Sequence, residues 1–99
     1  MVTADIGDVI RITIEADEID FDNFKPIQER IHRILRAHPR DIVINMERVD
    51  FIDSAGIAML LKVIESVDVE KRSIDFVNFT DNVRNTLTVV NLSRIFKIV

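Results

Sequence analysis

Between Asp8 and Glu15 apolar and polar residues alternate, with Ile10, Ile12 and Ile14 on one side and Arg11, Thr13 and Glu15 on the other. That is the period of a strand with one wet face. Further along the period changes: Phe24, Ile27, Ile31, Ile34 and Leu35 recur at helical spacing, behind Asp22 and Asn23 as sources of N-cap oxygens, and Pro26 suits a first helical turn. Pro39 biases His38 away from helical angles, so this helix is expected to stop there. Asp41 to Met46 contains the consecutive β-branched residues Ile42, Val43 and Ile44, the composition of a central strand covered on both faces. After Phe51 and Ile52 a second helix is expected, its apolar face marked by Ile57, Leu60, Leu61 and Ile64 at i, i+3, i+4 and i+7. Ser73 to Phe79 reads as a further strand, Asp81 as the cap of a third helix running to about Val90, and Ile95 to Val99 as a short last strand.

The order strand, helix, strand, helix, strand, helix, strand predicts an α/β fold. The expected architecture is a mixed, mostly parallel sheet of about four to five strands packed with three to four helices, with right-handed crossovers. The first strand is the expected antiparallel member. Ninety-nine residues suffice for one core, so a single domain over residues 1–99 is expected.

Composition narrows the function classes. There is no cysteine, which removes disulfide and thiolate chemistry and fits a reducing, cytoplasmic setting. The longest uninterrupted apolar run, Ile57 to Leu61, is far short of the roughly 20 residues that a bilayer span needs, and neither secretion nor membrane insertion is expected. The 13 basic residues are dispersed among 17 acids, for a net charge of −4, which argues against nucleic acid. All six aromatics are phenylalanine, expected mostly in the core. His32 and His38 look like helix-surface residues without a second ligand at metal spacing, so neither a metal nor a cofactor is expected. The pairs Lys71-Arg72 and Arg33-Arg36 read as solvated faces.

The chemistry-bearing stretch is FIDSAGIAMLL, residues 51–61. Ser54 stands where the second helix should have its N-cap, a role that serine fills well. Aspartate, asparagine or threonine would cap as well, however, and capping alone does not call for Ala55 and Gly56, whose glycine costs about 0.5–1 kcal/mol in a helix relative to alanine. Small neighbours would let another protein close around the Ser54 hydroxyl, and a helix N-terminus tolerates a phosphoryl group. On a helical wheel Met59 falls away from the direction of Ile57, Leu60, Leu61 and Ile64, either as an exposed apolar contact or as a gap-filler under a loop. Ser54, Gly56, Met59 and Lys62 then form a candidate contact patch. Asp20 and Asp22 are expected near it, because loops at one end of such a sheet converge, although turn formation and capping are competing roles. A nucleophilic enzyme is disfavoured: Ile52 stands where a G-x-S-x-G elbow needs glycine, and no histidine base is evident.

The segment VINMERVDFIDSAGIAMLL resembles the centre of the STAS domain, the bacterial anti-sigma factor antagonist family, in which an apolar strand and a short loop lead to Asp-Ser-(Ser/Thr/Ala)-Gly opening a helix. ITIEADEIDFDNF resembles the family's first strand and following turn, and VVNLSRIFKIV its closing segment, so the likeness spans nearly the whole chain. Two glycines of the pattern are replaced, by Asp17 and Asn91, and asparagine tolerates the left-handed angles of a helix C′ position. The resemblance implies a non-enzymatic, cytoplasmic binding switch. By position Ser54, preceded by Asp53, would be phosphorylated by a partner that is both serine kinase and anti-sigma factor. The unmodified form, a monomer when free, would bind and sequester that partner; phosphorylation would release it, and a PP2C-type phosphatase would reset the switch. The alternative implied by similar domains is an adaptor subunit of a membrane transporter, such as a lipid-exporting ABC system, without phosphorylation.

Overall fold

A computed structural model describes residues 1–98. The elements in chain order are β1 (Val2–Ile6), β2 (Val9–Ile14), β3 (Glu18–Ile19), α1 (Phe24–Ala37), β4 (Asp41–Asn45), β5 (Phe51–Ile52), α2 (Ser54–Val69), β6 (Ile74–Val77) and α3 (Asp81–Val89). Four strands form a sheet in the order β1-β2-β4-β6, and β3 pairs with β5 in a separate parallel ribbon. The mixed, mostly parallel architecture expected from the alternation of elements is therefore present, with three helices.

Several elements differ from the expectation. The strand read at Asp8–Glu15 is β2, which runs parallel to β4; the antiparallel member is β1, joined to it through Gly7 and Asp8. Its signal, Val2, Ala4 and Ile6 alternating with Thr3 and Asp5, is short but of strand period. The central strand is not covered on both faces. In β4 Ile42 and Ile44 are buried while Val43 and Asn45 are only half-buried, and β2 buries Ile10, Ile12 and Ile14 but not Arg11. One face of the sheet thus carries the core, and the other, where Arg11, Val43 and Asp75 stand side by side, is open.

No strand forms over residues 95–98; Val99 lies outside the described residues. Instead the chain turns, with Phe96 N–H donating to Leu92 C=O at 3.1 Å and Ile98 N–H to Ser93 C=O at 2.7 Å. Packing overrides strand propensity here, because the turn swings Phe96 inward to meet Phe76 edge-on at 5.0 Å and Phe79 at 6.1 Å. Four of the six phenylalanines belong to or pack against the core, whereas Phe21 and Phe51 are exposed.

The caps also shift by a residue from their expected places. Thr80, not Asp81, caps α3 by accepting from Val83 N–H at 3.3 Å. At its other end Asn91 adopts φ 62°, as its place at C′ requires. Asn91 N–H bonds Thr88 C=O and Leu92 N–H bonds Leu87 C=O, the paired closure of a Schellman turn. Lys71 repeats the arrangement after α2 at φ 58°. Arg72, expected on a solvated face, is instead 9% exposed in its side chain and bonds the carbonyls of Leu35, His38 and Arg40 at the end of α1. His32 is half-buried rather than on the surface, and burial first, then the charges of Arg36 and Lys62, hold its pKa below the ordinary histidine value. No helix among the described residues is long and apolar enough to cross a membrane.

Candidate functional site

The β3–β5 ribbon builds the site. Its two-residue pairing, Glu18 with Phe51 and Ile19 with Ile52, sets the turn after β3 beside the start of α2. Backbone bonds hold them in register: Asp50 N–H donates to Asp17 C=O at 2.7 Å, and Asp53 N–H to Ile19 C=O at 3.2 Å. Asp53 then joins the two loops through its carboxylate. One oxygen accepts from Gly56 N–H and the other from Phe21 N–H, both at 3.0 Å.

Asp53, and not Ser54, is therefore the N-cap of α2; its carbonyl also takes the first intrahelical bond, from Ile57 N–H at 2.9 Å. The sequence left the choice between two adjacent polar residues, and aspartate wins because its second oxygen reaches the neighbouring turn. Ser54 falls at the first helical position. It is exposed, and none of the side-chain hydrogen bonds among the described residues uses its hydroxyl. The capping reading of Ser54 is thus replaced by that of an unengaged alcohol on a rigid support.

Gly56 has a different reason from the one expected. It is buried, and a Cβ built on it would lie 2.5 Å from Ile19 O and 2.7 Å from Ile52 Cγ1. The bare backbone serves the close approach of α2 to β3, not access by a visitor, so Gly56 is no part of an exposed patch. Met59 is likewise corrected: at 1% exposure it is core. The buried stripe of α2 is Gly56, Met59, Leu60, Val63 and Val67, while Ile57, Leu61 and Ile64 pack only partly against the core. Both stripes have helical spacing, and the close contact at Gly56 turns the first of them inward. The exposed line that contains Ser54 continues through Ala58 to Lys62, about 12 Å along the axis. Ala55 is half-buried beside it.

Asp20 lies in the turn as expected, and its role there is local. Its carboxylate accepts from the backbone N–H groups of Asp22 and Asn23 at 3.0 and 3.2 Å. Asn23 answers by accepting from Asp20 N–H at 2.8 Å, and does not cap α1 through its side chain. Asp22 is exposed and makes no capping bond. Sequence reading missed Phe21 and Phe51, which are 76% and 54% exposed on the segments bonded to Asp53. Phe21 sits between two turn aspartates, where no apolar period would bury it. Phe51 adjoins Ile52 on a strand, where neighbours point to opposite faces.

Backbone N–H donors, Gly56 foremost, hold the Asp53 carboxyl below its ordinary pKa. A carboxyl stabilised this way contributes stability fully above its unfolded value of about 3.9, and the contribution fades as pH falls through the lower folded value. Asp53→Asn should therefore be less stable than wild type at pH 7, and the gap should narrow below about pH 4. Thermal unfolding across pH 2–7 checks this, and a gap that widens on acidification would refute it.

Comparison with known proteins agrees with this architecture. The family model described as "STAS domain" matches residues 2–99. No curated protein sequence matches the chain significantly. Among solved structures, the anti-sigma factor antagonist SpoIIAA in its unphosphorylated form is similar with a TM-score of 0.76 at 18% identity, over 100% of this chain and 99% of that one. The Bacillus cell fate determinant SpoIIAA in its phosphorylated form gives 0.70 at 18% identity, over 95% and 86%. The murine anion transporter Slc26a9 gives 0.79 at 20% identity, over 90% of this chain but only 15% of the transporter. At these identities the likeness speaks for the fold.

Proposed function

Because the chain belongs to the STAS domain family, we propose that it is a phosphorylation-controlled binding module without chemistry of its own. Its unmodified form binds and sequesters a cytoplasmic partner that is both anti-sigma factor and serine kinase; phosphorylation of Ser54 releases that partner, and a PP2C-type phosphatase restores the hydroxyl. The observation that carries this reading is the exposed, unengaged Ser54 hydroxyl on the first turn of α2, next to a carboxylate fixed by two backbone donors. A partner kinase needs that accessibility, and an adaptor does not.

The same geometry supplies the release step. The positive end of α2 is already occupied by the Asp53 carboxylate. A phosphate on Ser54, bringing about −1.5 to −2 charges, meets this anion instead of an empty cluster of donors. It would project into the surface on which the partner would sit, to which we assign the exposed Phe21, Phe51 and Lys62. There the unmodified protein offers apolar rings and a neutral alcohol, and the modified one a solvated dianion whose burial is costly.

Incubation of the purified chain with ATP and candidate serine kinases tests the reading, with intact-mass analysis for a single phosphate. Wild type should gain one phosphate, mapped to Ser54, and Ser54→Ala none. Modification elsewhere, or copurification with a transporter ATPase and equal partner binding by wild type, Ser54→Ala and Ser54→Asp, would favour the adaptor reading instead.

A further inference from the structure

The two edges of the four-stranded sheet are protected differently. At β6 the edge strand is four residues long and is followed by Asn78 at φ 61°, with Lys97 Nζ set 2.9 Å from Asp75 Oδ1. Short length and an edge lysine are the usual guards against strand addition. At the other edge β1 has neither lysine nor proline, and its register with β2 runs from Val2–Ile14 to Ile6–Ile10 without a bulge.

The ladder fixes which of its backbone groups are free. Glu15 N–H donates to Met1 C=O, and Gly7 N–H to Val9 C=O. Bonded pairs alternate in an antiparallel ladder, so Thr3 and Asp5 also bond inward to Thr13 and Arg11. Val2, Ala4 and Ile6 then direct their N–H and C=O groups off the sheet. We infer that this edge pairs with β1 of a second copy of the chain, antiparallel about a two-fold axis through Ala4, to make one continuous eight-stranded sheet.

The sequence VTADI is self-complementary in that register. Val2 faces Ile6 of the second copy, Ala4 faces Ala4, and each pair exchanges two backbone bonds, about six in all. Ile6, 37% exposed in the single chain, gains an apolar neighbour. On the open face Thr3 falls opposite Asp5, so no like charges stand directly opposite each other. Beside the edge, Met1, Val2, Pro26, Glu29, Arg30 and Arg33 line a shallow recess. The two-fold would bring α1 of each copy toward the other, and the acid and two arginines there give each surface both signs to match. This inference is independent of the phosphorylation of Ser54, which lies on a different pair of elements. A free monomer is then the dilute limit.

Sedimentation of the intact chain from about 10 µM to about 1 mM, the range in which so small an interface dissociates, tests the pairing. Dimer should accumulate across that range, and the amides of Val2, Ala4 and Ile6 should exchange more slowly as concentration rises, while those of Thr3 and Asp5 stay protected throughout. Ala4 is exposed and its N–H is not used within the chain, so Ala4→Lys should fold normally by circular dichroism. It sets two ammonium groups opposite each other and should weaken association at least about tenfold; Ala4→Glu should do the same. A chain that stays monomeric at about 1 mM, or a dimer indifferent to both substitutions, overturns the inference.

Discussion

Gly56→Ala is expected to destabilise the domain by about 2 kcal/mol, although alanine is the better helix former. In an open helix the exchange would gain about 1 kcal/mol. Here the added methyl carbon falls 2.5 Å from Ile19 O, a backbone atom tied into the β3–β5 ribbon, so neither side can yield by a rotamer change. Overpacking of this kind costs about 3 kcal/mol, at the upper end of the usual range. For a domain of this size the net loss corresponds to roughly 8–16 °C in Tm. The function should suffer as well, because relief of the clash lifts the first turn of α2 away from β3 and breaks the Asp53 bridge to Phe21 N–H. Ala58→Gly, on the exposed face of the same helix, is the control and should lose only about 1 kcal/mol. A Gly56→Ala protein more stable than wild type would contradict the account of this glycine.

The second large effect is expected at Arg72. Its guanidinium reaches Leu35 O at 3.0 Å and His38 O at 2.8 Å, carbonyls at the C-terminal end of α1 that the helix itself leaves unpaired, and Arg40 O at 3.2 Å. A positive charge at that end also suits the helix dipole. Arg72→Ala takes a donor from each of these acceptors, although His38 O keeps the Arg40 N–H at 2.9 Å, and removes a well-packed stem, for a cost of about 3 kcal/mol. Arg72→Lys should recover little of it, since a single ammonium cannot span three carbonyls as the planar fork does. The pair with Glu70, which is 57% exposed, is a minor part, so Glu70→Gln should cost no more than about 0.5 kcal/mol. Urea unfolding midpoints distinguish the cases, and an Arg72→Ala protein as stable as Glu70→Gln would refute the assignment.

Much of the fold was legible because the periods are clean. The alternation in β2, the helical spacing in α1 and α2, and the β-branched run in β4 each left little choice of element. What the residues alone did not reveal are the places where two locally valid choices compete. Both Asp53 and Ser54 can cap a helix, and only the nearness of Phe21 N–H decides for Asp53. Both the Ile57 and the Met59 stripes can face a core, and only the contact of Gly56 with β3 decides the rotation. The open face of the sheet was hidden for a related reason, since a run of three β-branched residues reads as buried on both sides whether or not a second layer covers it. Phe96 shows the converse, an apolar tail that reads as a strand until the aromatic cluster draws it into a turn. The position of the candidate serine was legible from its motif, while its unengaged hydroxyl and the exposed rings of Phe21 and Phe51 follow from tertiary structure.

In the proposed switch, modification of Ser54 decides whether a partner stays bound. The most direct measurement is the affinity of the partner kinase for the chain before and after stoichiometric phosphorylation at Ser54, by calorimetry at fixed ionic strength. The expected result is a loss of at least about a hundredfold, or about 2.7 kcal/mol, with Ser54→Ala binding like the unmodified protein. Equal affinity for the two forms would contradict it.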